Sequence, residues 1–396
     1  MNTAGQFQWS TPAPRLQILV SDLTATGVVR NAIAIANEAA ASGYDVRLLT
    51  CRPDGVLRNQ IRADVTVVKL IRNGAHGRSR RFDLKQALVE YRRHSGQWRP
   101  DIMFSAGNHG HLLSTFAWAG LPGTKILRIS NDLNHGDPSA PVRWWRDLKF
   151  RLISSLADRL VFVSRSLGGH SLLARHMDSG KALVISNGVD VDAVRAASRQ
   201  PCAHRWASDP SIPFVLAVGR HVRQKNLGTL LSAFAIARRA KPMRLIILGD
   251  GNLDETARLS ARMLDLGIAD DVDLVPATAN PFPLMAAAGT LALPSLWEGS
   301  SNVLLEAMAC GTPVVASRTA GDADHVLNGG KYGVLVDPFD VEGLTAALLL
   351  QTGPDRIGPD DRVQAFTRDR AMAHYMQVFD DAVAGTALRT PSLVSL

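Results

Sequence analysis

Cysteine is scarce in this chain of 396 residues: Cys51, Cys202 and Cys310 stand far apart, with no CxxC pair and no cluster of histidine partners. That spacing argues against a disulfide framework and against a structural zinc, and the three thiols read as packing residues in a reducing compartment. No window approaches the roughly 20 apolar residues needed to cross a bilayer, and the opening MNTAGQFQWSTPAP is polar. Neither a transmembrane span nor a secretory leader is expected. With 32 Gly and 20 Pro, breaker residues are too few for collagen-like repeats or for broad disorder. Two phosphate-binding signatures are missing as well. There is no GxGxxG after the first apolar run, which disfavours a dinucleotide oxidoreductase, and no GxxxxGK followed by Ser or Thr, which disfavours a P-loop triphosphatase.

What is present is positive charge, unevenly spread. The net +8 hides 27 Lys and Arg against 15 Asp and Glu through residue 200, while the remainder carries 17 against 21. A cationic first half implies an anionic partner. No helix-turn-helix, zinc finger or ribonucleoprotein motif accompanies the charge, so a nucleic-acid binder is the poorer alternative.

Length predicts two or three domains. Short apolar runs alternate with helix-length segments: LQILV (16–20), a helix over 28–42 stopped by Gly43, then DVRLLT (45–50), which together make a βαβ unit. Further strands are expected at 101–106, 125–130, 159–164 and 182–187. After a polar, Pro-containing passage at 196–212 the pattern restarts with strands at 214–219, 244–249, 272–276, 291–295, 313–317 and 333–337, and with a helix over 227–240. The expected fold class is α/β, with two doubly wound parallel-sheet domains. In such sheets ligands bind beyond the carboxyl ends of the strands.

Two segments sit at such ends. Strand 214–219 ends in Gly219 and is followed by Arg220, with Lys225 just before a helix. Two cations beside a helix N-terminus suit a diphosphate. Strand 291–295 runs into a loop holding Glu298, and a helix is expected from Asn302 to Gly311, with Pro313 blocking its extension. The amides of Ser301, Asn302 and Val303 would face a phosphate, and Glu298 and Glu306, with seven residues between them, would accept hydrogen bonds from hydroxyls on either side.

In VGRHVRQKN (218–226), LIILGDGN (245–252), the block from Glu298 to Glu306, DRLVFVSRSL (158–167) and SNGVDVDAV (186–194), the sequence resembles the retaining family 4 glycosyltransferases. Their GT-B arrangement has two facing Rossmann-like domains with a cleft between them. The resemblance implies an N-terminal acceptor domain (1–198), a C-terminal nucleotide-sugar domain (199–365) and a terminal helix (366–396) crossing back to the first. It implies that Arg220 and Lys225 bind the donor diphosphate, Glu306 the ribose and Glu298 the sugar hydroxyls, while Gly249 and Gly251 let the backbone approach the nucleotide. The first domain departs from the pattern. A paired-glycine loop is here TATGVV (24–29) with the single Gly27, and the position of a reacting-centre histidine is taken by Asn131, with His109, His111 and His135 as alternatives.

The Asp-x-Asp pattern at Asp190–Asp192 lies far in sequence from these residues, and no metal or other cofactor is expected. A UDP-sugar is favoured over a GDP-sugar as donor, and the acceptor is expected to be a glycan or lipid-linked sugar of polysaccharide or lipopolysaccharide assembly. RWWRDLKFRLI (143–153) mixes Trp, Leu and Ile with Arg and Lys, as an interfacial helix does, and GRSRR (77–81) adds charge. The expected location is cytoplasmic, peripheral at the inner face of the membrane. A sugar-nucleotide epimerase on the same fold is the alternative enzyme.

Overall fold

Val-, Ile- and Leu-rich runs of a few residues, without polar alternation, suit strands buried on both faces of a parallel sheet. The structure, a computed structural model, describes residues 12–24, 26–71, 80–131, 139–168, 171–209 and 211–388. Its first sheet contains β1 (Arg15–Asp22), β2 (Asp45–Arg52), β3 (Thr66–Lys69), β4 (Ile102–Ser105), β5 (Thr124–Ile129), β6 (Arg159–Phe162) and β7 (Ala182–Val184). All pair in parallel, in the order β3-β2-β1-β4-β5-β6-β7. β3 went unanticipated in the sequence.

Helices α1 (Gly27–Ala41), α2 (Arg80–Trp98), α3 (His111–Trp118) and α4 (Ala140–Leu156) cover this sheet. Ile33 and Ala36 of α1 pack with Ile18, Phe104 and Ile126 on one face, while Tyr91 of α2, Trp118 of α3 and Phe150 of α4 pack with Leu19, Met103 and Leu127 on the other. The Arg368–Val383 helix completes the first of these clusters with Tyr375, Val378 and Phe379. The rings of Tyr375 and Phe379 both stand edge-on to Phe104. Burying each of these aromatic side chains contributes about 2–3 kcal/mol. Arg159 anchors the same helix, its guanidinium donating to the carbonyls of Val378 (2.8 Å), Asp381 (2.8 Å) and Thr386 (2.5 Å).

The second sheet contains β8 (Phe214–Val218), β9 (Arg244–Leu248), β10 (Val272–Val275), β11 (Thr290–Leu293), β12 (Val314–Ser317) and β13 (Val334–Val336). These pair in parallel in the order β10-β9-β8-β11-β12-β13. Both sheets reverse direction once. The chain builds outward from β1 to β3 and then restarts beside β1 with β4; likewise β8 leads out to β10 and the chain restarts beside β8 with β11.

Two compact units result. One takes the residues through Val163, Leu167–Ile185 and the chain from Ala371 onward; the other takes Ser164–Ser166 and Ser186–Arg370. The division falls at 185/186 and not at 198/199, because Val191 and Val194 of the Val191–Ser198 helix bury among Phe214, Leu216 and Leu305 of the second unit. The terminal segment rejoins the first unit at Ala371, five residues later than the sequence suggested.

Candidate functional site

Ligands of doubly wound sheets bind where the strand order reverses, outside the carboxyl ends of the two strands that flank the reversal. In the second unit those strands are β8 and β11. The loops that leave them carry Gly219–Asn226 and Pro294–Ser301 and are tied together: the Leu296 amide donates to the Gln224 carbonyl at 2.9 Å, and the Gln224 amide side chain donates to the Trp297 carbonyl at 2.8 Å. Asn226 braces the junction from a left-handed backbone (φ 51°), its side chain donating to the carbonyls of Pro294 and Pro338.

Lys225 and Glu298 meet at this reversal. The Lys225 ammonium donates to Glu298 Oε1 at 2.7 Å, with the two side chains only 17% and 11% exposed. Ser295 Oγ donates to the same oxygen at 2.8 Å, and Gln224 reaches Oε2 at 3.3 Å. In this structure the two neutralise each other. Ser295 and Gln224 were missed in the sequence, although Gln224 stands directly before Lys225. Arg220, two residues past the strand, is exposed and has no ion-pair or hydrogen-bond partner among the described residues.

The glycines serve the loops themselves. Gly219 (φ 152°) and Gly249 (φ 154°) adopt backbone that side chains rarely take, and a Cβ on Gly249 would lie 2.1 Å from the Gly219 carbonyl oxygen. A Cβ on Gly219 would meet the Lys225 stem at 2.6 Å, and one on Gly251 the His221 side chain at 2.3 Å. The missing side chains let the loops after β8 and β9 touch. His221 lies buried there, its Nδ1 bonded to Thr256 Oγ1 at 2.9 Å, and burial lowers its pKa.

The Asn302–Ala309 helix starts where the sequence suggested, beyond β11. Ser301 is its N-cap but its side chain makes no capping bond, which leaves the first-turn amides to other acceptors. Ser300 and Ser301 line a small pocket with Ser186, Asn187 and Asp322. Asn302 Oδ1 accepts from Asn187 at 2.9 Å, Val303 follows in the first turn, and Glu306 is half-buried in the second. Asp322 is a buried carboxylate that sequence reading missed. Its Oδ1 accepts from the Arg165 amide at 2.6 Å and its Oδ2 from Ser186 Oγ at 3.0 Å, while burial raises its pKa. The larger groove beside β13, lined by Arg318, Val334, Asp337 and Asp340, shares none of these residues.

The remaining candidates belong to the first unit. Its reversal lies between β1 and β4. Gly27 opens α1 there, behind Thr26, whose Oγ1 accepts from the Val29 amide at 3.4 Å, so it is a helix-start residue with ordinary backbone. Asn131 follows β5, and its carbonyl accepts from the Asn108 side chain at 3.0 Å. His111 is not a loop residue: it opens α3, fully buried. Its Nε2 donates to the Arg128 carbonyl at 3.1 Å and its Nδ1 accepts from Ser105 Oγ at 2.8 Å, while burial pulls its pKa down to about 3. A neutral, doubly bonded core histidine is unavailable to a substrate. His109 precedes that helix on the loop, and His135 lies outside the described residues, as does the start of the 77–81 cluster. Asp190 caps the Val191–Ser198 helix through the Ala193 amide (3.0 Å) and pairs with Arg368 at 3.2 Å. Its carboxylate is thus occupied by protein.

Family models match both units. One described as Glycosyl transferases group 1 covers residues 212–350, and one described as Glycosyltransferase Family 4 covers residues 25–193. The chain belongs to glycosyltransferase family 4. Among the curated relatives of this family 4 chain is the D-inositol 3-phosphate glycosyltransferase of Segniliparus rotundus, 34% identical over 51% of this chain and 46% of that protein. Another is an N-acetylgalactosaminyltransferase of Campylobacter jejuni. Its name gives a diphospho-undecaprenol-linked acceptor, and it is 31% identical over 40% of this chain and 42% of its own length. The chain thus spans about half the length of these relatives. In structure it is similar to Anabaena Alr3699/HepE in complex with UDP and glucose, with a TM-score of 0.73, 18% identity, and coverage of 93% of this chain and all of that one. At that identity the likeness shows the GT-B fold.

Proposed function

We propose that this protein transfers a sugar from a nucleoside diphosphate sugar, UDP-sugar favoured, to a glycan or lipid-linked sugar acceptor, with retention of configuration and without a metal. One observation carries the reading: the β8–β11 reversal holds an exposed, unpaired Arg220, a Lys225–Glu298 pair and an uncapped helix start. Glycosyl transfer leaves a diphosphate behind, and cations and amides fixed around it lower the barrier without reorganising at the moment of reaction. Arg220 supplies a planar donor fork, and the amides of Ser301, Asn302 and Val303 supply the dipole of a helix start. Donor phosphate draws Lys225 from Glu298, which frees that carboxylate to accept from sugar hydroxyls, while Glu306 receives the ribose. Asn131 is the residue proposed at the reacting sugar on the first unit's side.

Kinship with family 4 supports retention, and the cations and helix-start amides at the reversal, which can carry the leaving diphosphate's charge themselves, support a metal-free site. The Campylobacter relative's acceptor supports a lipid-linked one. The test is calorimetric titration with UDP, GDP and ADP, followed by turnover of the sugar nucleotide that binds. Arg220→Ala is expected to cost 3–4 kcal/mol in the barrier, about 200- to 1,000-fold in rate, with EDTA harmless. Near-native turnover of Arg220→Ala, or abolition by EDTA, overturns the mechanism.

A further inference from the structure

Helix α4 has two unlike faces. Phe150 and Ile153 are buried against the first sheet. At about 100° per residue, Trp145, Leu148 and Leu152 fall within about 60° of one another on the opposite side. All three are exposed, Trp145 at 64%, and Trp144 and Leu156 widen the strip. The two indoles stack edge to face, their centroids 4.9 Å apart. A strip of five large apolar side chains on one outward helix face has no role in the unit's own core, and such patches mark binding surfaces.

Lys149 and Arg151 stand one on each flank of the strip, about 100° to either side of Phe150. That arrangement selects among occupants. A second copy of this chain seated across a two-fold axis would set these cations against their own symmetry mates. An anionic bilayer offers hydrocarbon for the strip and phosphates for both flanks. Indoles favour that boundary, where one edge is apolar and the other wet. No helix among the described residues is long and apolar enough to cross a membrane, so contact is along the helix and not through the bilayer.

We propose that α4 docks this protein flat on an anionic lipid surface, with Trp144, Trp145, Leu148 and Leu152 below the headgroups and Lys149 and Arg151 among them. This goes beyond the donor reading and does not rest on it. The test is co-sedimentation of the full chain with vesicles of phosphatidylcholine alone or with 30% phosphatidylglycerol, at 0.1 M and 0.5 M NaCl. Binding is expected only with the anionic lipid, weakened by salt, and with a blue-shifted tryptophan emission. Lys149→Gln with Arg151→Gln should weaken it about thirtyfold, at roughly fivefold per basic residue. Trp145→Ala with Leu148→Ala should weaken it more than about tenfold. These side chains are exposed, and an unchanged thermal melt with an unchanged UDP-induced shift shows that the variants fold. Equal binding to both vesicle types, variants that bind as wild type, or a dimer dissolved by Leu148→Glu without vesicle binding would each overturn the proposal. Vesicle binding without any UDP response refutes the donor reading and leaves docking standing.

Discussion

Removing one partner of the Lys225–Glu298 pair leaves the other charge in a site where the two side chains are only 17% and 11% exposed. A fully buried pair costs about 3–5 kcal/mol to break from one side. Partial access of water here reduces that to about 2–3 kcal/mol. Glu298→Gln keeps the shape but turns an acceptor-only group into one with an NH2, which must confront Lys225, Ser295 or Gln224, all donors to this side chain. For a unit of this size the loss corresponds to a melting-temperature drop of about 4–12 °C. Lys225→Met should cost a similar amount, and the double substitution no more than either alone, because the second change removes the stranded charge. Calorimetric melts of the four proteins give the coupling directly, expected at about 2 kcal/mol. UDP should restore more stability to Glu298→Gln than to wild type, since its phosphates offer the stranded ammonium a new anion. Additivity within about 0.5 kcal/mol would refute the coupling on which the donor-induced exchange depends.

Other outcomes follow from the same packing. Gly249→Ala places a methyl against the Gly219 carbonyl and in unfavourable backbone, and should lower stability by more than about 2 kcal/mol and abolish UDP binding, as read by melts and titration. His111 is held neutral by burial, with a pKa of about 3 against 6.5 when unfolded, so it contributes stability above pH 6.5 that is lost as pH falls toward 3. The slope is about 1.4 kcal/mol per pH unit, and His111→Gln should flatten it in urea titrations between pH 4 and 6; an unchanged slope would assign acid lability elsewhere. Arg159→Ala strips three carbonyls of their donor and should cost about 2–3 kcal/mol, with hydrogen exchange rising first over 371–386; uniform exchange would count against the anchoring role.

Most strands were legible in the sequence because a parallel strand buried on both faces is written as an unbroken apolar run. β3 escaped because it is a four-residue edge strand, TVVK, polar at both ends and half exposed. The Asn302 helix was legible from its local punctuation, the Ser-Asn start and the Gly311–Pro313 stop. Lys225 and Glu298 could each be nominated from position after a strand, but their pairing across 73 residues is set by the adjacency of β8 and β11, which no local pattern encodes. Gly249 and Gly251 were visible as glycines; what occupies the space they leave depends on how closely two loops pack. The domain boundary slipped because the apolar spacing of Val191 and Val194 says that a helix is buried without saying by which unit.

The return of the Arg368–Val383 helix to the first sheet has a consequence for biosynthesis. Phe104 and its neighbours lack one wall of their core until Tyr375 and Phe379 have left the ribosome, after every residue of the second unit has been made. The order of maturation is therefore inverted relative to the order of translation: the lobe begun first is finished last, and a nascent chain halted before residue 371 carries an open greasy seam for chaperones to guard.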